Sequence, residues 1–191
     1  EYSVRAIEHA GGVVTGLTPL AVCVLALLNE RPMHPYEMYQ LLLERHADRI
    51  VKVRPGSLYH TVERLAGEQF VRAKGTERSG NRPERTTYMI TGEGQAALRQ
   101  RVAELIRTPQ NEYPAFPVVL AEAHNVDRRE IIEHLRTRIV HLQGALAEMQ
   151  AWLDGARTMD VPEAYWLAVE YQHAMTTTER DWLSHLADRI E

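Results

Sequence analysis

Seven apolar residues in the second half of the chain recur at alternating spacings of three and four, between Ile132 and Leu153. This 3.5-residue period places them on one side of a long α-helix. Asp127 and Glu130 form a capping box, which predicts that the helix begins at Asp127. Such a seam needs an apolar partner, either the last helix of the same chain or its copy in a second subunit. The seam consists of Ile132, Leu135, Ile139, Leu142, Leu146, Met149 and Leu153.

The end of the chain predicts a helix that can cover this seam. Asp160 and Glu163 repeat the spacing of a capping box, and apolar residues then recur at helical spacing. Threonines 176–178 weaken this helix in its middle, because β-branched side chains lose rotamer freedom there. Upstream, three prolines within nine residues break any helix. Residues 108–117 are therefore predicted to be a proline-rich linker, and residues 118–191 a separate all-helical domain.

The first half of the chain begins with three predicted helices. Each apolar segment has a proline in its first turn, at Pro19, Pro35 and Pro55, and the third helix ends at Gly67. Before them, residues 1–16 are weakly patterned and are interpreted as an arm.

A β-hairpin and a fourth helix follow the three helices. Segments 70–74 and 86–90 have strand composition, and the stretch between them is polar and contains Gly80, Asn81 and Pro83. Thr91 then caps a helix with a regular apolar pattern. The three helices, the hairpin and this helix predict one compact domain at residues 17–107.

The third helix combines a core stripe, formed by Leu58, Val62 and Leu65, with an unusual polar face. The stripe is predicted to turn His60 and Arg64 directly outward, with Ser57, Tyr59 and Thr61 on the flanks of this outer face. The net charge of the chain is −4, yet residues 45–85 contain ten basic residues against five acidic ones. Three helices followed by a basic hairpin is the order of a winged helix-turn-helix, whose third helix enters the major groove. Arginine pairs with guanine, while hydroxyl groups and the amides at the start of a helix suit phosphates. The third-helix residues predicted to contact DNA are Ser57, Tyr59, His60, Thr61 and Arg64.

The hairpin predicts a second DNA contact. Its tip is a cationic arm suited to the phosphate backbone or the minor groove. The residues assigned to this contact are Lys74, Arg78, Arg82 and Arg85.

Three segments carry a resemblance to a known family. "LTPLAVCVLALLNERPMHPYEMYQLL", "PGSLYHTVERLAGEQFV" and "NRPERTTYMITGEGQAAL" resemble, in order and spacing, the PadR family of bacterial transcriptional regulators across residues 17–107. The chain departs from the family pattern at Pro35, where many relatives have glycine, and at Glu84, which makes the hairpin tip less basic. The resemblance places Tyr36 and Tyr59 at backbone-contacting positions, Ser57, His60 and Arg64 on the recognition helix, and Lys74 and Arg82 on the wing.

The resemblance also implies the architecture and the function. It implies a mainly α protein with a small β-hairpin, in which an N-terminal winged helix-turn-helix precedes an all-helical C-terminal dimerisation domain of the long form. The implied protein is a homodimeric repressor released by an effector. Two recognition helices would then lie in successive major grooves about 34 Å apart, on an inverted-repeat DNA operator. The implied dimerisation residues are the seam residues together with Leu183 and Leu186.

Some members of that family bind aromatic ligands between C-terminal helices, so a small aromatic or hydrophobic effector is a further expected partner. The candidate residues are Trp152, Trp166 and Trp182, since a large aromatic side chain forms a wall for a flat ligand. The plain alternative is that these tryptophans belong to the core.

Other functional classes find little support in the sequence. Cys23 lies among apolar neighbours and is predicted to be a core residue. His134 and His141 could share one face of a helix, but two histidines are a weak indication of a metal site, so none is expected there. The absence of a nucleophile-base pair or phosphate loop disfavours an enzyme, and no cofactor or metal is expected. The apolar run at residues 20–28 is too short to cross a membrane, so a cytoplasmic location is expected. The main alternative function is a winged-helix module that binds proteins without specific DNA binding.

Overall fold

The computed structural model describes residues 16–77 and 85–191. The expectations for residues 1–15 of the predicted arm (1–16) and for Arg78 and Arg82 lie outside the described residues, as does the side chain of Arg85. The chain forms two compact units, divided between Asn111 and Glu112.

The elements of the first unit follow the predicted order of three helices, a hairpin and a fourth helix. The helices are α1 (Pro19–Glu30), α2 (Pro35–Glu44), α3 (Pro55–Gly67) and α4 (Gly92–Arg107), and the strands are β1 (Val71–Glu77) and β2 (Arg85–Ile90). Prolines occupy the first helical position of α1, α2 and α3, where the missing N–H costs no hydrogen bond. The predicted mainly helical fold with a two-stranded antiparallel hairpin is confirmed.

The core of the first unit forms where α1, α2 and α3 pack together. Its fully buried side chains include Leu25, Met38, Leu58 and Leu65. Cys23 packs against this cluster, and burial raises the pKa of its thiol, as expected for a core residue.

A short bridge attaches the hairpin to the start of α2. The backbone of Met33 exchanges hydrogen bonds of 3.0 and 2.9 Å with Tyr88 of β2. Within the hairpin, Val71 pairs with Ile90, and the register shifts between Ala73 and Gly75. Lys74 therefore lies at a β-bulge.

The second unit contains α5 (Ala115–Ala121), α6 (Arg128–Thr158) and α7 (Leu167–Ile190). The prediction that the prolines at 108–117 break any helix is wrong at Pro117, which lies in the first turn of α5. A proline is tolerated there because no helical hydrogen bond uses its nitrogen.

The two predicted caps of the second unit have different outcomes. Asp127 caps α6, since its carboxylate accepts a hydrogen bond of 2.8 Å from the Arg129 amide. The second capping box is wrong, because Asp160 adopts a left-handed conformation (φ 54°) in the turn after α6. A short 3-10 turn at Glu163–Tyr165 follows, and α7 begins at Leu167 without a side-chain cap.

The seam of α6 packs against α7 of the same chain. Arg138 donates to Glu179 from Nε and Nη2, at 2.9 and 2.6 Å, and so joins the two helices. The expectation that the seam itself meets a second subunit is thus wrong for its buried members, because α7 already covers them. These members are Ile132, Leu135, Leu146, Met149 and Leu153, with Leu183 of α7, while Ile139, Leu142 and Leu186 are partly buried.

The helices in the described parts of the chain include none long and apolar enough to cross a membrane.

Candidate nucleic-acid interface

The outer face of α3 is the centre of the candidate interface. Leu58, Val62 and Leu65 fix the orientation of α3 by packing into the core, each at most 1% exposed. On the opposite face, the side chain of His60 is 86% exposed and that of Arg64 is 39% exposed. The core stripe therefore directs both side chains to the surface, as the sequence predicted.

Thr61 does not belong to this outer face. It is only 9% exposed, and its hydroxyl donates a hydrogen bond of 2.7 Å to the Ser57 carbonyl oxygen. The prediction that Thr61 flanks the outer face is wrong, because positions 58, 61, 62 and 65 form one helical stripe. Its hydroxyl is satisfied by the preceding turn, as is common for threonine inside a helix.

The first turn of α3 presents backbone amides to an anion. Arg54, at the N-cap position, makes no side-chain cap, and Gly56 and Ser57 are exposed. The helix dipole favours negative charge at this end. Ser57 thus lies where a phosphate oxygen could accept from both its amide and its hydroxyl.

His34 connects the two tyrosines that the sequence singled out. Its Nδ1 accepts a hydrogen bond of 3.0 Å from the Tyr36 amide and so caps α2. Its ring also meets the ring of Tyr59 edge to face, with 6.4 Å between centroids. Tyr36 and Tyr59 are both partly exposed, at 55% and 40%. His34 was not among the predicted site residues, although a histidine directly before the Pro35 that opens α2 was a signal for a cap.

Two acidic residues modify the charge of α3. Glu68 lies 3.0 Å from Nη1 of Arg64, and Glu63 lies 3.5 Å from Nδ1 of His60. Arg64 was predicted to be a plain outward cation, and Glu68 was not among the predicted site residues. The i,i+4 spacing of Arg64 and Glu68 was the available signal.

The wing supplies exposed cations on β1. Lys74 is exposed at the bulge, and Arg72 is exposed two residues before it. The backbone of Arg85 begins β2.

A separate cavity of about 720 Å³ lies in the second unit. Apolar side chains of α5 and α6 form its walls, and the Arg138 guanidinium lies 3.7 Å from the centre of the Phe116 ring. We call this cavity the α5–α6 groove. It is lined by Ala115, Phe116, Val118, Val119, Leu120, Glu122, Ala123, Val126, Ile131, His134, Leu135 and Arg138.

None of the three candidate tryptophans lines the α5–α6 groove. Trp152 is half-buried on α6, while Trp166 precedes α7 and donates from its indole nitrogen to the Val161 carbonyl at 3.1 Å. Trp182 is half-exposed and lies sixteen residues beyond Trp166, about 24 Å along a helix. The chain therefore does not bring the three indoles into one pocket.

Among the residues that the structure describes, no cluster of three or more histidine, cysteine or acidic side chains has the arrangement of a metal site.

Comparison with known proteins gives a family match and several similar folds. Residues 24–100 match the model of the transcriptional regulator PadR-like family. No curated protein matches the chain.

Three crystal structures show the same fold over most of their length. Bacillus subtilis PadR in complex with operator DNA is 17% identical, with a TM-score of 0.73 over 90% of this chain and 97% of that one. The complex of B. subtilis PadR with p-coumaric acid is 14% identical, with a TM-score of 0.67 over 91% of this chain and 97% of that one. The PadR-like regulator BC1756 from Bacillus cereus is 16% identical, with a TM-score of 0.63 over 90% and 97%.

Proposed function

We propose that this chain, which carries a domain of the transcriptional regulator PadR-like family at residues 24–100, is a homodimeric repressor that binds an inverted-repeat operator and is released by an effector. The outer face of α3 is the observation that carries the DNA-binding part. It exposes His60 and Arg64 beside an open helix N-terminus on a rigidly packed helix. The operator complex of B. subtilis PadR, which has the same fold, supports this assignment.

The division of roles follows from the chemistry of the side chains. Arg64 and His60 can donate to base edges in the major groove, so they are assigned to sequence choice. Ser57, Tyr36 and Tyr59 present exposed hydroxyl groups, so they are assigned to phosphates. Lys74 extends the phosphate contact to the wing.

The DNA-binding proposal is tested by selecting preferred sites from random duplexes and measuring affinity against salt concentration. We expect an inverted repeat and a steep salt dependence, equivalent to roughly six to ten phosphate contacts. His60→Ala with Arg64→Ala should relax base preference in the selected sites, whereas the control Arg99→Ala, on α4, should not. If the double variant binds the site unchanged but loses a protein partner, the protein-interaction alternative replaces this proposal.

The dimer part of the proposal rests on a second face of α7, since the α6 seam is occupied within the chain. Four large apolar side chains, each about half exposed or more, follow one another at spacings of four, four and seven residues. We call them, with the intervening Thr178, the α7 stripe. Its members are Leu167, Tyr171, Met175, Thr178 and Trp182.

A second copy of the chain is the occupant that fits the α7 stripe. Residues 112–191 contain seven arginines and no lysine against fourteen acidic residues, so two such units repel one another. An isologous contact needs an uncharged centre, and the α7 stripe carries no charged residue. The acids Glu170 and Asp181 lie outside it, on the neighbouring face of the helix.

Sedimentation velocity tests the dimer contact. Tyr171→Glu with Trp182→Glu should convert the dimer to a monomer and weaken binding to the full inverted repeat far more than binding to a half-site. The matched control is Val140→Glu, because Val140 is 63% exposed on α6 and lies outside the α7 stripe. Dissociation by the control but not by the double variant would place the contact elsewhere.

The effector part of the proposal is assigned to the α5–α6 groove instead of the three tryptophans. Its volume of about 720 Å³ is in the range of small-molecule sites. Apolar walls suit an aromatic or hydrophobic compound, and the p-coumaric acid complex of B. subtilis PadR supports that class of effector.

Release of operator DNA by p-coumaric acid is the test of the effector site. We expect the compound to dissociate the protein from its selected site, and Phe116→Ala to weaken this response without changing DNA affinity in its absence. Tyr165→Ala is the control, because Tyr165 is an exposed aromatic residue of the same unit outside the groove. Equal sensitivity of the two variants would contradict the assignment.

A further inference from the structure

Arg64 is the one cationic residue between the first and last positions of α3. Its Nη1 lies 3.0 Å from Oε1 of Glu68, four residues later, and this contact is a hydrogen-bonded ion pair. Within the described residues, Nε and Nη2 of Arg64 make no hydrogen bond or ion pair. The pair leaves the edge formed by Nε and Nη2 open.

The position of Glu68 is fixed by the way α3 ends. The Glu68 amide donates to the Arg64 carbonyl at 2.9 Å, and Gln69 then takes a left-handed conformation (φ 63°). The Phe70 amide then donates a hydrogen bond of 2.9 Å to the Leu65 carbonyl, which completes a C-terminal capping motif of α3. Because this backbone is anchored to the core, Glu68 starts from a fixed position one helical turn beyond Arg64, from which its carboxylate reaches the Arg64 guanidinium.

We propose that Glu68 is a positioning residue that sets the DNA selectivity of Arg64, an inference that rests on the proposed DNA-binding function. Glu68 occupies Nη1 and leaves Nε and Nη2 to pair with O6 and N7 of a guanine. Its negative charge also opposes the approach of the Arg64 guanidinium to a phosphate. Glu68 therefore favours the base contact over the backbone contact.

Loss of Glu68 should lower the preference for the operator and raise the affinity for DNA of any sequence. An arginine without its acidic partner samples many rotamers and can reach the nearest phosphate. Phosphate contacts strengthen binding to every sequence, whereas a bidentate guanine contact strengthens binding to one. The two roles can be separated because they respond differently to salt.

The experiment compares Glu68→Gln and Glu68→Asp with the intact protein on the selected operator and on a scrambled duplex of equal length. Glu68→Gln should bind the scrambled duplex more tightly, steepen the salt dependence by roughly 0.9 per protomer, and lower the preference for the operator about fivefold. Glu68→Asp keeps the charge but is too short to hold Arg64, so it should lose preference without the same gain in general affinity. Unfolding curves of both variants confirm that α3 is intact.

Glu44→Gln is the matched control, since Glu44 is an exposed acid at the end of α2. It removes the same charge and should leave the preference unchanged. If Glu68→Gln and Glu44→Gln have equal effects, or if Glu68→Asp keeps full preference, the positioning role is overturned. If the intact protein prefers no sequence, the proposed function fails instead, and the inference fails with it.

Discussion

The hydroxyl of Thr91 joins the start of α4 to the turn that follows α3. That hydroxyl accepts a hydrogen bond of 3.0 Å from the Gly94 amide and donates one of 2.8 Å to the Gln69 carbonyl. The contact brings the start of α4 so close to Phe70 that a Cβ at position 94 would lie 2.1 Å from the Phe70 carbonyl oxygen. Glycine is therefore required at 94 for lack of space, not for backbone conformation.

Gly94→Ala should destabilise the first unit by about 1–3 kcal/mol, because the backbone of Phe70 must move away. Gly92→Ala, two residues earlier on the same helix, meets nothing within 4 Å and should be neutral or stabilise by about 0.4–1 kcal/mol. Urea unfolding curves check both values. Equal effects of the two substitutions would contradict the steric explanation.

Glu30 and Arg45 form an ion pair that makes stability depend on acid pH. Arg45 donates to both Glu30 oxygens, at 2.6 and 2.8 Å, and this hydrogen bonding lowers the pKa of Glu30 below its ordinary 4.5. A lowered pKa in the folded state means that the stabilisation is present above 4.5 and is lost as the pH falls through the lowered value.

The intact protein should thus be more stable than Glu30→Gln at neutral pH, and the difference should shrink as the pH falls from 4.5 through the lowered pKa of Glu30. Melting temperatures across this range measure the effect. Glu44→Gln controls for the loss of one exposed carboxylate, and its difference from the intact protein should be smaller at neutral pH. A difference that grows on acidification would have the wrong sign for this linkage.

At the scale of elements, packing decides what the α6 and α7 helices can do. The apolar side of α6 is covered by α7, and Leu183 is fully buried between them. Leu183→Ala should cost about 2–5 kcal/mol, since it removes a buried side chain and leaves a cavity. Val140→Ala, on the exposed side of α6, should change stability by less than about 0.5 kcal/mol. Thermal unfolding monitored by circular dichroism distinguishes the two.

How much of these elements the sequence predicts depends on how local the determining contacts are. The starts of α1, α2 and α3 were predictable, because a proline in the first turn acts within a few residues. The failed cap at Asp160 shows the limit, since a capping-box spacing states nothing about the turn geometry that α6 imposes. For the same reason, the sequence did not decide between α7 and a second subunit as the partner of the α6 seam. Periodicity identifies an apolar face but not the element that covers it.

In the candidate site, too, features set by nearby residues were predictable and features set by distant contacts were not. The outward direction of His60 and Arg64 followed from three core residues at helical spacing. The role of His34 did not, because its contact with Tyr59 joins residues twenty-five positions apart. Burial of Thr61 likewise depends on how far the core reaches around α3, which periodicity alone leaves undetermined.

At the scale of the whole molecule, charge differs between the two units. Residues 112–191 have twice as many acidic as basic side chains, whereas residues 45–85 have twice as many basic ones. Negatively charged DNA is attracted to the second of these segments and repelled by the first. In the proposed DNA complex, the charge of residues 112–191 therefore favours contact through the first unit.

Residues 108–114 connect the units without regular secondary structure, and all of them are exposed. Limited proteolysis should cut first within this segment and release two fragments divided near residue 111, because exposed irregular backbone is the preferred substrate of proteases. Mass spectrometry of the early fragments identifies the site. A first cut inside α6 or α7 would show that the helical unit opens before the connection is cleaved.

The bulge at Lys74 has a consequence for how the wing tolerates insertions and deletions. Ala73 pairs with Tyr88 and Gly75 with the adjacent Thr87, so Lys74 is one residue more than a regular ladder would have at this point of β1. Deleting Lys74 would remove one charge and would also restore a regular ladder, because Ala73 and Gly75 already pair with the adjacent residues Tyr88 and Thr87. A one-residue deletion here would thus remove the bend and the extra twist that a bulge gives to its strand, while replacing Lys74 with alanine changes only its charge.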